Sequence, residues 1–290
     1  MTIEALKKRI KVTENLREIV GTMKALSSVS ILQYEQANTA LAQYRRNLQD
    51  AFQALIKQGG LPNSDVKAEH GKQLVILIGT DNGMVGKFNK EILDKAKADL
   101  KKQGVSLKNT LFLTIGKRIG GLAAQSNLKL YAKYAVANSV KMVNTIAETV
   151  IMKIDEATRR EQITNVCVWY HKRNKNESVS VQKQQIIPFD FAAYQKLKNK
   201  PWGTNNLPLI PIERKQMFAA LLNEYLTIAL ASQLNYSLAA EHYTRMTNMQ
   251  NAEKNIDESL EQMNLEYQQE RQENITDELI DVISGAKAVK

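Results

Sequence analysis

Residues 212–284, IERKQMFAALLNEYLTIALASQLNYSLAAEHYTRMTNMQNAEKNIDESLEQMNLEYQQERQENITDELIDVIS, run for 73 positions without a glycine or a proline. Those two residue types break helices, so the run predicts one continuous helix. At 1.5 Å rise per residue it would be about 110 Å long, where a globular helix usually has about 8–20 residues. A compact domain of 290 residues is too small to bury such a helix along its whole length. The helix therefore needs a partner beside it.

The other end of the chain supplies one. Residues 1–57 contain no proline and only Gly21. Alternating steps of four and three pick out Leu16, Val20, Met23, Ser27, Ser30, Tyr34, Ala37, Leu41, Tyr44, Leu48, Ala51 and Leu55, a heptad seam. Ser27, Ser30 and Ala37 are small and allow close approach. A matching seam runs through Met246, Met249, Glu253, Ile256, Leu260, Met263 and Tyr267. Two seams at opposite ends of one chain predict a long antiparallel coiled coil. The breakers Gly59-Gly60-Leu61-Pro62-Asn63-Ser64 then end the first helix and open an inserted domain.

Within the insertion, strand and helix patterns alternate. Residues 73–80 (QLVILIGT), 110–115 (TLFLTI) and 165–171 (NVCVWYH) are continuous apolar runs of strand length, with a short strand at 128–134. Helical stretches at 87–103, 116–125 and 139–160 lie between them, and 179–187 alternates like an edge or antiparallel strand. This is the pattern of a mostly parallel, three-layer, Rossmann-like α/β domain. The expected division is an N-terminal coiled-coil helix at 1–57, the α/β domain at 73–190, a linker at 191–211 and a C-terminal coiled-coil helix at 212–286. Four of the five prolines, at 188, 201, 208 and 211, fall in or beside that linker.

The net charge of +10 divides as +4 for residues 1–57, +12 for 58–211 and −6 for 212–290. The basic middle segment has neither a helix-turn-helix signal nor aromatic stacking motifs, so a solvated basic surface that meets acidic protein or membrane-proximal groups is a better reading than nucleic acid. Cys167 lies in the apolar run 166–169 and reads as a buried structural thiol. No signal peptide and no 18-residue apolar run is expected, so work at a membrane would be through partners and not a transmembrane segment of this chain.

The loop Gly79-Thr80-Asp81-Asn82-Gly83-Met84-Val85-Gly86-Lys87-Phe88 lies between strand and helix, where phosphate loops occur. It fails both fingerprints. Asp81 stands where a P-loop needs its first glycine, and Phe88 replaces the hydroxyl that would hold magnesium. Asp81 also occupies the second glycine position of the dinucleotide motif. A tight structural turn is expected here. His70, His171 and His242 lie in three different segments without metal-ligand spacing, and no serine or cysteine sits in a nucleophile elbow. No catalytic residue, cofactor site or metal site is expected.

Several stretches carry a more specific resemblance. Lys8-Arg9-Ile10-Lys11 with 23–28 (MKALSS), then Glu241, Arg245-Met246, Met249, Ala252 and Asn255, and finally Arg271-Gln272, Ile275-Thr276, Glu278-Leu279 and Ile283-Ser284-Gly285-Ala286 resemble the gamma subunit of F-type ATP synthases, the F1 central stalk. Asp81, Gly83, Gly86 and Asn89 fit the loop of that family, whereas Asn82, Val85 and Lys87 depart from it. Residues 207–214 also lack its usual Tyr-Glu-Pro approach. With 31–35 (ILQYE) and 252–258 (AEKNIDE), these departures resemble the alternate branch called N-type, in which the coupling ion is proton or sodium.

The resemblance implies a rotor that couples ion transport through a membrane ring to ATP synthesis or hydrolysis, with the chemistry left to other subunits. It implies partners in the alpha and beta subunits of the F1 ring, the epsilon subunit and the membrane c-ring. The location implied is the cytoplasmic face of the plasma (inner) membrane, held there peripherally. Residue by residue, it places Arg271, Gln272, Thr276 and Glu278 in polar contact with the catalytic ring. Met23 and Lys24, facing Arg245 and Glu241, form a lower contact. A coiled-coil adaptor with a non-catalytic α/β domain is the alternative, and a nucleotide-dependent enzyme is a third reading that the defective loop disfavours.

Overall fold

The computed structural model describes residues 2–59, 71–204 and 206–288. Helix α1 (Ile3–Lys57) opens the chain. An alternating series follows: β1 (Lys72–Ile78), α2 (Phe88–Lys102), β2 (Thr110–Ile115), α3 (Lys117–Gln125), β3 (Leu130–Tyr134), α4 (Val140–Glu161), β4 (Ile163–Arg173) and β5 (Val179–Ile187). A short α5 (Phe191–Gln195) precedes α6 (Arg214–Ala288), a single helix of 75 residues that continues through Gly285. Beyond Gly59, the expected turn at 59–64 lies outside the described residues, as does His70.

Contacts divide the chain into two compact units, residues 1–29 with 245–290, and residues 30–244. The larger unit holds a five-stranded sheet in the order β3-β2-β1-β4-β5. β1 is parallel to both β2 and β4, and β5 is antiparallel at the edge beside β4. β1 is apolar without alternation because both its faces are covered. Val75 and Leu77 pack with Ile92, Leu93, Ala96 and Ile119 of α2 and α3. Leu74, Ile76 and Ile78 pack with Val143, Ala147 and Val150 of α4 and with Leu230, Leu234 and Leu238 of α6. Each fully buried aliphatic side chain here contributes about 1.5–3 kcal/mol.

The long helix is thus part of the third layer. From Thr227 to Glu241 every residue of α6 is buried except Tyr236, which is partly exposed. The same helix corrects an expectation: within Arg214–Asp281, α6 holds an 18-residue window of mean hydropathy 1.2, long and apolar enough to cross a membrane by composition. Half of that window is buried inside the protein. Apolarity on all sides suits a helix packed between a sheet and another helix as well as it suits a lipid-facing one.

Pairing of α1 follows heptads, but with one column displaced from the expected seam. Val20, Ser27, Tyr34, Leu41, Leu48 and Leu55 are buried or half-buried as expected. The more deeply set second column is Lys24, Ile31, Asn38, Arg45 and Phe52, buried or half-buried, each one residue later than the expected Met23, Ser30, Ala37, Tyr44 and Ala51, of which all but Tyr44 are half-buried beside it. Tyr44 and Leu16 are exposed, at 43% and 48%. Three polar side chains in the true column made the neighbouring column look more apolar. On α6, Met249 and Met263 of the expected seam are buried, and Glu253, Ile256, Leu260 and Tyr267 half-buried. Residues 188–211, expected to serve largely as a linker, also pack. Phe189, Phe191 and Tyr194 join Phe52, Phe218 and Tyr225 in an aromatic cluster with centroid spacings of 4.7–6.5 Å.

The C-terminal ends of the central strands are tied by one carboxylate. Asp81 Oδ1 accepts from the Lys117 amide at 2.7 Å, and Oδ2 accepts from the Val136 amide at 3.2 Å. Lys117 is the first residue of α3, whose opening amides have no partner within the helix. Gly116, at φ 126°, offers no side chain to cap them, and a Cβ there would come within 2.8 Å of the Thr80 nitrogen. Asp81 is a cap delivered from another strand. Asp81→Ala is expected to lower stability by about 1–2 kcal/mol in urea unfolding, with Asp81→Asn losing less. An unchanged midpoint for the alanine variant would remove the carboxylate from this role.

His171 is 1% exposed, stacks on Phe88 with ring centroids 3.6 Å apart, and has no hydrogen-bond partner on either ring nitrogen among the described residues. Burial first, and the Lys95 ammonium second, push its pKa down to about 3. Folded His171 is therefore neutral, while the unfolded chain takes up a proton below about pH 6.5. The unfolded state gains protons relative to the folded one from that point down to about pH 3, so stability falls with acid by at most about 1.4 kcal/mol per pH unit from this group. His171→Phe is expected to lose less stability between pH 7 and pH 4.5 than the parent. Equal losses in paired denaturation curves would assign the acid sensitivity elsewhere.

Candidate functional site

Two surfaces were open to a functional role at the level of sequence: the loop after the first strand and the late part of the long helix. The loop is occupied by its own side chains. Asn89 Oδ1 accepts from the Thr80 amide at 2.9 Å, its Nδ2 donates to Thr80 Oγ1 at 2.9 Å, and Thr80 Oγ1 donates to the Asn82 carbonyl at 2.8 Å. Asp81 accepts from the first α3 amide, that of Lys117, where an anion would otherwise sit. A carboxylate in that place repels phosphate by charge as well as by volume. The arrangement is a structural turn.

The late part of α6 is built differently. Arg271, Gln272, Thr276 and Glu278 are all exposed, and Thr276 Oγ1 donates back to the Gln272 carbonyl at 2.9 Å. Between them stand Ile275, Leu279 and Ile283, exposed at 47%, 58% and 55%. At about 100° per residue, these seven side chains cover roughly 160° of the helix. Charged, amide, hydroxyl and aliphatic groups are interleaved on one half of the cylinder. A helix facing only water would not keep such aliphatics there, whereas a mixed apolar and polar surface suits contact with another protein.

Helix α1 carries a second surface of this kind within the same unit. Val12, Leu16, Ile19 and Leu26 are exposed at 51%, 48%, 55% and 63%, and the half-buried Met23 falls on the same line. Steps of four, three, four and three make them a stripe about 80° wide. Val12, Ile19 and Leu26 were missed in the sequence because a heptad pattern reads equally as a pairing seam or as an outward stripe. Two apolar columns one residue apart were the available signal.

The remaining expected contacts have other surroundings. Lys24 is half-buried and its ammonium pairs with Glu253 of α6. Arg245 is 6% exposed and Glu241 is 5% exposed. Glu241 lies close enough to Tyr34 to help burial, the larger cause, push the phenol pKa up. The structure therefore collects Arg271, Gln272, Thr276 and Glu278 on one surface, leaves Met23 at the margin of another, leaves Lys24 half-buried, and places Glu241 and Arg245 inside.

The family model described as ATP synthase matches residues 2–289. The chain is 25% identical over 291 residues to the ATP synthase gamma chain of Geotalea uraniireducens, covering 100% of this chain and 99% of the relative. It is 27% identical over 308 residues to the ATP synthase gamma chain of Campylobacter curvus, with 99% of each covered. Among solved structures, the rotor of the Euglena gracilis mitochondrial ATP synthase superposes with a TM-score of 0.61 at 16% identity, over 94% of this chain and 99% of that one. The central stalk and c-ring structure of the Tetrahymena thermophila mitochondrial enzyme gives 0.56 at 18% identity, over 81% and 99%. The structural likenesses speak for the fold, and the match along nearly every residue speaks for descent: the chain belongs to the ATP synthase family, with gamma chains as its relatives.

Proposed function

We propose that this chain is the gamma subunit of an F-type ATP synthase, the central shaft whose rotation couples ion movement through a membrane ring to ATP synthesis or hydrolysis. The observation that carries the reading is the interleaved surface from Arg271 to Ile283, set near the end of a 75-residue helix. The shaft is non-catalytic by itself. Its task is mechanical, to present different faces in turn to the alpha and beta subunits around it.

In this reading the helices 1–57 and 212–286 form the shaft, the domain at 73–190 forms the foot, and 191–211 joins them. Arg271, Gln272, Thr276 and Glu278 make the polar contacts to the ring, and Met23 with the α1 stripe meets it lower down. Lys24, Glu241 and Arg245 support those contacts from within. The foot meets the epsilon subunit and the c-ring at the cytoplasmic face of the membrane. Exposed Lys196, Lys198 and Lys200, near the 89%-exposed Leu209, suit an acidic partner with apolar tips.

Reconstitution with the alpha and beta subunits and the membrane sector tests the proposal. The parent chain is expected to assemble and support ion-coupled turnover. Arg271→Ala with Thr276→Ala should assemble equally well but lower coupled synthesis several-fold, with a smaller effect on ATP hydrolysis by the F1 part. A parent chain that does not join the hexamer would sink the shaft reading. A double variant with full coupled activity would remove these two residues from the contact.

A further inference from the structure

One heptad column of α1 is unusual for a helix seam: Arg17, Lys24, Ile31, Asn38, Arg45 and Phe52. Four of its six members are polar, and three of those find partners on α6. Within the unit formed by residues 1–29 and 245–290, Lys24 pairs with Glu253, and Arg17 Nε lies 2.7 Å from Asp257 Oδ1. Within the larger unit, Arg45 Nη2 donates to Ser232 Oγ at 3.0 Å. In each case the cation or donor is on α1 and the acceptor on α6.

Charge at such positions weakens a seam relative to aliphatic packing, but it distinguishes one alignment from another. The apolar seam of the smaller unit discriminates poorly. Met246, Met249, Ile256, Leu260 and Met263 are of similar volume and interchange at low cost. Sliding α1 by one heptad would exchange them for one another. The slip toward Met246 would carry Lys24 from Glu253 to the side of Arg245, where no carboxylate between Glu241 and Glu253 receives it. It would also displace one helix past the other by about 10 Å.

We infer that Lys24 and Glu253, backed by Arg17 and Asp257, are positioning residues that fix the register of α1 on α6. Met23 remains the outward residue of that turn, and Lys24 acts through its neighbour helix. The inference concerns pairing within the chain, so it stands or falls separately from the identity of the surrounding ring.

Spin labels test it in the full-length chain. Ser28→Cys and Gln250→Cys place labels at exposed positions of the smaller unit, in a Cys167→Ala background. Pulsed electron–electron distance measurement is expected to give one narrow separation. Lys24→Met with Glu253→Met should melt no lower than the parent yet add a second, displaced separation, because packing is kept while discrimination is lost. Lys24→Glu alone should broaden the distribution, and Lys24→Glu with Glu253→Lys should restore the single separation. A single native separation in the double-methionine chain overturns the proposal. So does a charge-swapped chain that stays as broad as Lys24→Glu alone, which also decides the matter should the methionine pair fold poorly.

Discussion

Everything else in the larger unit depends on the burial of one helical stretch, Thr227 to Glu241 of α6, against the sheet. Leu230, Leu234 and Leu238 close the same face of the sheet that α4 covers with Val143, Ala147 and Val150. Without them, Leu74, Ile76 and Ile78 of the central strand would face water. The long helix is therefore a core element of this unit along those residues. A helix packed on all sides in this way cannot turn about its axis without breaking the core. The absence of glycine and proline from 212 to 284 serves the same end, since each would be a site of bending.

Much of this was legible in the chain. Continuous apolar runs gave β1, β2 and β4 because strands covered on both faces need no alternation, and the mixed pattern of 179–187 gave an antiparallel edge. What could not be read was which column of α1 faces α6. Hydrophobic periodicity assumes that inward positions are the apolar ones, and here Lys24, Asn38 and Arg45 face inward while Leu16 and Tyr44 face out. The inversion places polar side chains in the seam and leaves an apolar stripe, Val12 to Leu26, on the exposed face of the same helix.

The site divides along the same line. Arg271, Gln272, Thr276 and Glu278 could be named from the chain as candidates, and the structure leaves them exposed on α6. Lys24, Glu241 and Arg245 could be named but not placed, since their surroundings are set by residues more than 200 positions away or by the packing of α6. The apolar stripe from Val12 to Leu26 was neither named nor placed, because an outward stripe and an inward seam have the same spacing.

The carboxylate of Asp81 has a wider meaning for the α/β domain. A fold of this type commonly keeps a crevice at the ends of its parallel strands for a phosphate-bearing ligand. Here that place is filled by a side chain of the chain itself, bonded to the Lys117 and Val136 amides. With the Lys117 and Val136 amides already taken, a phosphate would have to displace a carboxylate of the chain itself to bind there.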